Sequence, residues 1–225
     1  MANPVRVNIE VGKKGKRVVA YAWDWPGWNR GGKVEEVALE SFEQYRSRYR
    51  PIAERAGLAT EFDRQNAVEI VDRYEGTGST DFWGISFAPS PLDSSAMEVD
   101  DLERRLKLLW ACWQFFDDVA ARVSPELKKG PRGGGRDRDQ IVRHILANER
   151  DWASGIGVDY TLEQILEPGA RQQYREDLVE AIKTYNTEGR KAKKWELSYL
   201  IRHIAFHTLD HAWEMEDKDL TGSHS

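Results

Sequence analysis

Three of the chain's five histidines fall in one short run, "HIAFHTLDHAWEMED", at His203, His207 and His211. Imidazole is a common metal ligand and titrates close to neutral pH. Residues four apart on a helix are separated by only about 40° around its axis, so each consecutive pair projects from one side. Two such imidazoles can grip one ion. A third from a facing helix completes a three-histidine set that leaves a coordination position open. Neutral imidazole suits Zn²⁺, Ni²⁺ and similar borderline ions. The open position lowers the pKa of a bound water or thiol and makes a nucleophile at neutral pH. The competing reading is plain: H-x-x-x-H arises by chance, and a buried histidine can satisfy itself with hydrogen bonds. Spacing alone leaves both readings open, and does not choose between 203/207 and 207/211.

The elements that must position these residues lie after residue 95. Val99, Leu102, Leu106, Leu109, Trp113, Phe116, Ala120 and Val123 recur at alternating three and four, which predicts a long helix with one apolar stripe. "SPELKKGPRGGG" ends it as a loop, and its basic residues read as solvated. A second helix through "RDRDQIVRHILANERDWAS" carries Ile141, Ile145 and Trp152 on one face, with His144 at its border beside Asn148. Tyr174, Leu178, Ala181, Ile182 and Tyr185 mark a third, ended by Gly189. The fourth spans about 193–217. It has an aliphatic stripe (Leu197, Leu200, Ile204, Met215), an aromatic one (Trp195, Tyr199, Phe206, Trp213) and the histidine ridge between them. Four such helices with one long connection predict an all-α four-helix bundle over 95–220, in which a histidine from each of two helices reaches the interior.

The first ninety residues read differently. "VRVNIEV" and "RVVAYAW" flank "GKKGK" as strand, turn and strand. "DWPGW" breaks the pattern through Pro26 and Gly27. A helix follows through "KVEEVALESFEQYRSRYRPIAERAG", interrupted near Pro51, and "AVEIVDRYE" and "FWGISFA" predict further strands. The fold class expected is therefore an α+β module over 1–90 followed by an all-α bundle. Within the module, Asp24, Pro26, Gly27, Gly32, Glu36, Ala38 and Leu39 resemble the HicB-type antitoxin fold, over about a fifth of the chain. The resemblance implies a fold and not an activity.

Composition bounds the function. The net charge of -5 and pI near 5.7 offer no global basic field for nucleic acid or an anionic membrane. Cys112 is the sole cysteine, which excludes an intramolecular disulfide and a cysteine-based zinc knuckle. It sits one residue off the core stripe of its helix and reads as inert packing. The opening segment lacks the apolar core of a signal peptide, and a cytoplasmic protein is expected.

The region 95–220 resembles the DinB/YfiT-like four-helix-bundle metalloproteins. "RHILANERDW" supplies the second-helix histidine, His144, and "HTLDHAWEME" supplies an H-x-x-x-H pair, His207 and His211. The family's pair sits late in the helix, which favours 207/211 over 203/207. The resemblance implies a divalent metal, zinc or nickel, on His144, His207 and His211. It further implies a metal-dependent enzyme such as an S-transferase or isomerase using a low-molecular-weight thiol cosubstrate, in stress or detoxification. The alternative is a non-catalytic metal- or ligand-binding protein. A small-molecule substrate is the expected partner, with a homodimer allowed and neither nucleic acid nor membrane. Asp151 and Glu214 fall on the histidine side of their helices, where either could orient a ligand imidazole. His224 lies in the tail.

Overall fold

In the computed structural model, which describes residues 3–131, 133–193 and 195–221, strand β1 (Val5–Val11) pairs antiparallel with β2 (Val18–Ala22) across the turn at Gly12–Arg17. Strand β3 (Asn29–Gly32) pairs antiparallel with β2. Strand β4 (Val68–Glu75) joins the far side of β1 in parallel, with a register shift between Val7 and Asn8. The order is β3-β2-β1-β4. A parallel neighbour needs a long crossover. Helices α1 (Glu35–Gln44), α2 (Arg46–Arg55) and α3 (Ala59–Arg64) supply it. Every residue of β2 is buried, the mark of a strand covered on both faces.

Two local expectations are corrected. The break in the long first helix falls at Tyr45, and Pro51 lies inside α2. The stretch 82–88 is not a strand. Thr77 caps a short helix, α4 (Gly78–Trp83), through a reciprocal capping box, and Gly84 ends it at φ 70°. Beyond it, the backbone N–H groups of Phe87 and Ala88 donate to the buried Glu10 carboxylate (3.1 and 3.5 Å) rather than to a neighbouring strand.

The helical half holds α5 (Val99–Arg122), α6 (Arg138–Ala153), the short α7 (Leu162–Leu166), α8 (Pro168–Thr187) and α9 (Leu197–Lys218). Four long helices are present, yet the expected all-α four-helix bundle following an α+β module is not what forms. The chain is α+β, with a mixed four-stranded sheet confined to the first 75 residues or so, and one hydrophobic core runs from Val5 to Met215. The reason lies in α9. Fifteen of its 22 residues are buried, so it is enclosed on nearly every side instead of offering one stripe to three partners.

Its second face meets the sheet half. Trp213 packs edge-on to Tyr45 at 5.2 Å, with the Arg30 guanidinium over both rings. Gly27, at φ 98°, lies so close to α9 that a Cβ there would sit 2.7 Å from Leu209 Cδ1 and 3.2 Å from the Ala205 carbonyl. Buried Arg202 donates to Asp93 (2.7 Å), Ser86 (3.0 Å) and the Ala88 carbonyl (3.0 Å). Trp25 and Trp28 of the "DWPGW" turn pack instead inside the sheet half, against Phe62 and Phe42.

Candidate metal centre

His144 comes from the middle of α6, and His207 and His211 from successive turns of α9. The capping box of Asp137 and Gln140 starts α6 and so fixes where His144 falls. The helices bring one nitrogen of each ring together, all three within 4.8 Å of one another. His144 Nε2 lies 3.2 Å from His207 Nε2, and the three ring centroids are 4.9–5.0 Å apart. An ion held at 2.0–2.1 Å by tetrahedral imidazoles keeps their nitrogens about 3.3 Å apart. The donor set and its width fit one divalent ion.

Burial keeps two of the three rings in ligand form. Burial holds His207 down to about 2 and His144 down to about 4, helped at His207 by the two other histidines and at His144 by Arg136 and His211. Both are neutral at pH 7, the state that binds a metal. All three rings keep some solvent exposure.

The surroundings orient the rings. Glu214 Oε2 accepts from His211 Nδ1 at 2.6 Å, which turns the opposite nitrogen toward the set. The same carboxylate accepts from Lys218 (2.5 Å), and its bond with His211 is the main reason its pKa falls to about 2. The Asn148 amide lies 3.2 Å from His144 Nδ1. Asp151, the other candidate, does not take part: it pairs with Arg150 at 2.6 Å and is 65% exposed.

His203 stands outside the set. It is 5% exposed and lies in a box of Trp152, Trp195, Tyr199 and Phe87, at centroid distances of 4.7–5.8 Å. Burial drives its pKa to about 3. Cys112 is fully buried with its thiol pushed above the ordinary range, and His224 lies outside the described residues. Sequence reasoning missed two contributors. Trp152, 5.2 Å from His207 and 4.7 Å from His203, separates the set from the aromatic box. Arg136, which the sequence places at the start of the second helix, lies just before α6 and acts electrostatically on both His144 and His207. Trp152 was visible only as part of the apolar face that His144 borders, and Arg136 gave no local signal because its action on His207 is tertiary. Among the described residues, no helix is long and apolar enough to cross a membrane. Compared with known proteins, the chain matches no family model, no curated protein and no solved structure.

Proposed function

We propose that this chain binds one divalent ion, zinc or nickel, on His144, His207 and His211, and that it is a metal-dependent enzyme acting with a low-molecular-weight thiol. The observation that carries the reading is the convergence of three partly exposed imidazoles from two helices, one of them aligned by Glu214. A divalent ion held by these three residues would supply Lewis-acid chemistry that lowers the pKa of a thiol or water toward neutrality. Three neutral ligands leave the dication's charge uncompensated, which favours an anionic thiolate over water. The chain's own residues do the rest. Glu214 fixes the His211 tautomer, Asn148 engages the outer nitrogen of His144, and Trp152 packs its ring against His207. The DinB-like pattern of one histidine on α6 and a late pair on α9 supports the same choice.

A second reading has its own observation. The Asn148 amide nitrogen donates both to His144 Nδ1 and to the His144 carbonyl (2.8 Å), which leaves the His144 proton on Nε2, facing His207 Nε2. That pair is then satisfied without an ion, as in a non-catalytic protein. Ligation through Nε2 requires the proton on Nδ1, so the Asn148 amide nitrogen must then give up its approach to that atom. Elemental analysis of protein purified without an affinity tag separates the readings. One equivalent of metal in the wild type and none in His207→Ala, with unchanged far-UV circular dichroism, supports the centre. Metal-free wild type that takes up no added zinc or nickel refutes it. Thiol-dependent consumption of a generic electrophile, equal in loaded wild type and His207→Ala, refutes metal-activated chemistry.

A further inference from the structure

The "GKKGKR" turn between β1 and β2 and the aromatic end of α4 are untouched by the candidate metal centre. The two are fastened together. Asp81 Oδ2 and Oδ1 accept from the backbone N–H groups of Lys14 (2.6 Å) and Lys16 (2.8 Å), and Lys13 N–H reaches the Thr77 carbonyl (3.4 Å). The Arg17 side chain lies 3.7 Å from the position a Cβ would take on Gly84. The turn is therefore clamped to α4 and carries four exposed cations, Lys13, Lys14, Lys16 and Arg17, the last against the helix end. There stand Phe82 and Trp83, 72% and 65% exposed, the two largest exposed aromatic side chains among the described residues, packed edge to face at 4.6 Å and 82°.

Two adjacent large aromatic rings left this open are unusual on a free surface. Three features say what covers them. At 72% and 65% exposed, the rings project from the surface instead of being held in a pocket. Their edge-to-face arrangement gives no paired flat faces for stacked bases, which disfavours single-stranded nucleic acid. Tryptophan and phenylalanine beside lysine and arginine are the composition of an interfacial anchor, in which the rings enter the headgroup region and the cations meet anionic lipid. Even with the Asp81 carboxylate counted, the four cations leave this face positive on a chain whose net charge is -5, so it is attracted where the rest is repelled. We infer that the β1–β2 turn and the end of α4 form a docking knob for an anionic lipid surface.

The test is cosedimentation of the full chain with phosphatidylcholine vesicles, with and without about one-third phosphatidylserine. Each basic residue near such a surface contributes about fivefold, the equivalent of about 1 kcal/mol. Lys14→Glu/Lys16→Glu is expected to weaken binding at least 25-fold. Phe82→Ser/Trp83→Ser is expected to weaken binding while keeping the salt dependence that the remaining cations impose. Both variants alter exposed side chains away from the histidines, so unchanged circular dichroism and metal content show that the fold is intact. Equal binding to neutral and anionic vesicles, or no binding to either, overturns the inference. So does tighter binding to a single-stranded oligonucleotide through the same lysines. A concentration-dependent dimer abolished by Phe82→Ser/Trp83→Ser also overturns it, because a second copy would then be the occupant.

Discussion

Glu214→Gln tests the candidate centre at its most local point. The substitution keeps an oxygen of the same reach to accept from His211 Nδ1, now 2.6 Å away, and removes only the charge. A hydrogen bond to a charged group is worth about 1.5–3 kcal/mol and a neutral one about 0.5–1.5 kcal/mol. The difference, about 1–1.5 kcal/mol, is reduced because the Glu214 side chain is 27% exposed. Zinc affinity is therefore expected to fall roughly five- to tenfold, since about 1.4 kcal/mol is one decade. Glu214→Ala removes the acceptor altogether and should fall in the roughly 10- to 100-fold range of outer-shell partners. Lys218→Ala acts in the other direction. Its ammonium, 2.5 Å from Glu214, draws on the charge that His211 uses, so affinity should rise, by less than about threefold because a partly exposed pair is weak. The assay is competition of metal-free protein against a chromogenic zinc chelator at pH 7.5. Glu214→Gln within twofold of wild type, alongside a large loss in His211→Ala, would show that the carboxylate does not orient the ring.

Arg202→Leu is expected to destabilise the fold by about 3–5 kcal/mol in urea unfolding, because it strands the buried Asp93 carboxylate, and adding Asp93→Asn should recover part of the loss. Gly27→Val should cost about 2 kcal/mol or more through its positive φ and the closeness of Leu209, and an unchanged thermal midpoint would contradict the contact. His203 is buried neutral with its pKa held near 3, against an ordinary value of 6.5, so below pH 6.5 the unfolded chain takes up the proton first. Stability is whole above pH 6.5 and falls by up to about 1.4 kcal/mol per pH unit toward pH 3 from this group alone. His203→Phe should flatten that acid limb in denaturation measured from pH 7 to 4, and an identical limb would refute the assignment.

The histidine geometry was legible because it is periodic. The four-residue spacing puts His207 and His211 on one ridge, and His144 borders an apolar face defined by Ile141, Ile145 and Trp152. The strand–turn–strand opening and the long helices were legible for the same reason. The enclosure of α9 was legible only in outline. Its aromatic stripe calls for the N-terminal module to pack against it, but does not say that Tyr45 and Gly27, more than a hundred residues away, make the contact. Residues 82–88 misled because apolar alternation ignores the Thr77 cap, and nothing local shows that Glu10 will take the hydrogen bonds of Phe87 and Ala88. Asp151 and Glu214 looked equivalent until the neighbour on the chain, Arg150, took one and His211 the other.

The closeness of Gly27 to Ala205 and Leu209 has a consequence for how the chain is made. The strands and the tryptophan turn leave the ribosome long before α9, which they touch. Until about 180 further residues have emerged, the face that receives Leu209, and the Tyr45 ring that meets Trp213, have no partner. Contacts of such sequence separation slow folding and leave apolar surface open meanwhile. A nascent chain stalled before Leu197 should therefore be captured by chaperones and cut readily by protease within its first ninety residues. Release of the completed α9 would end both.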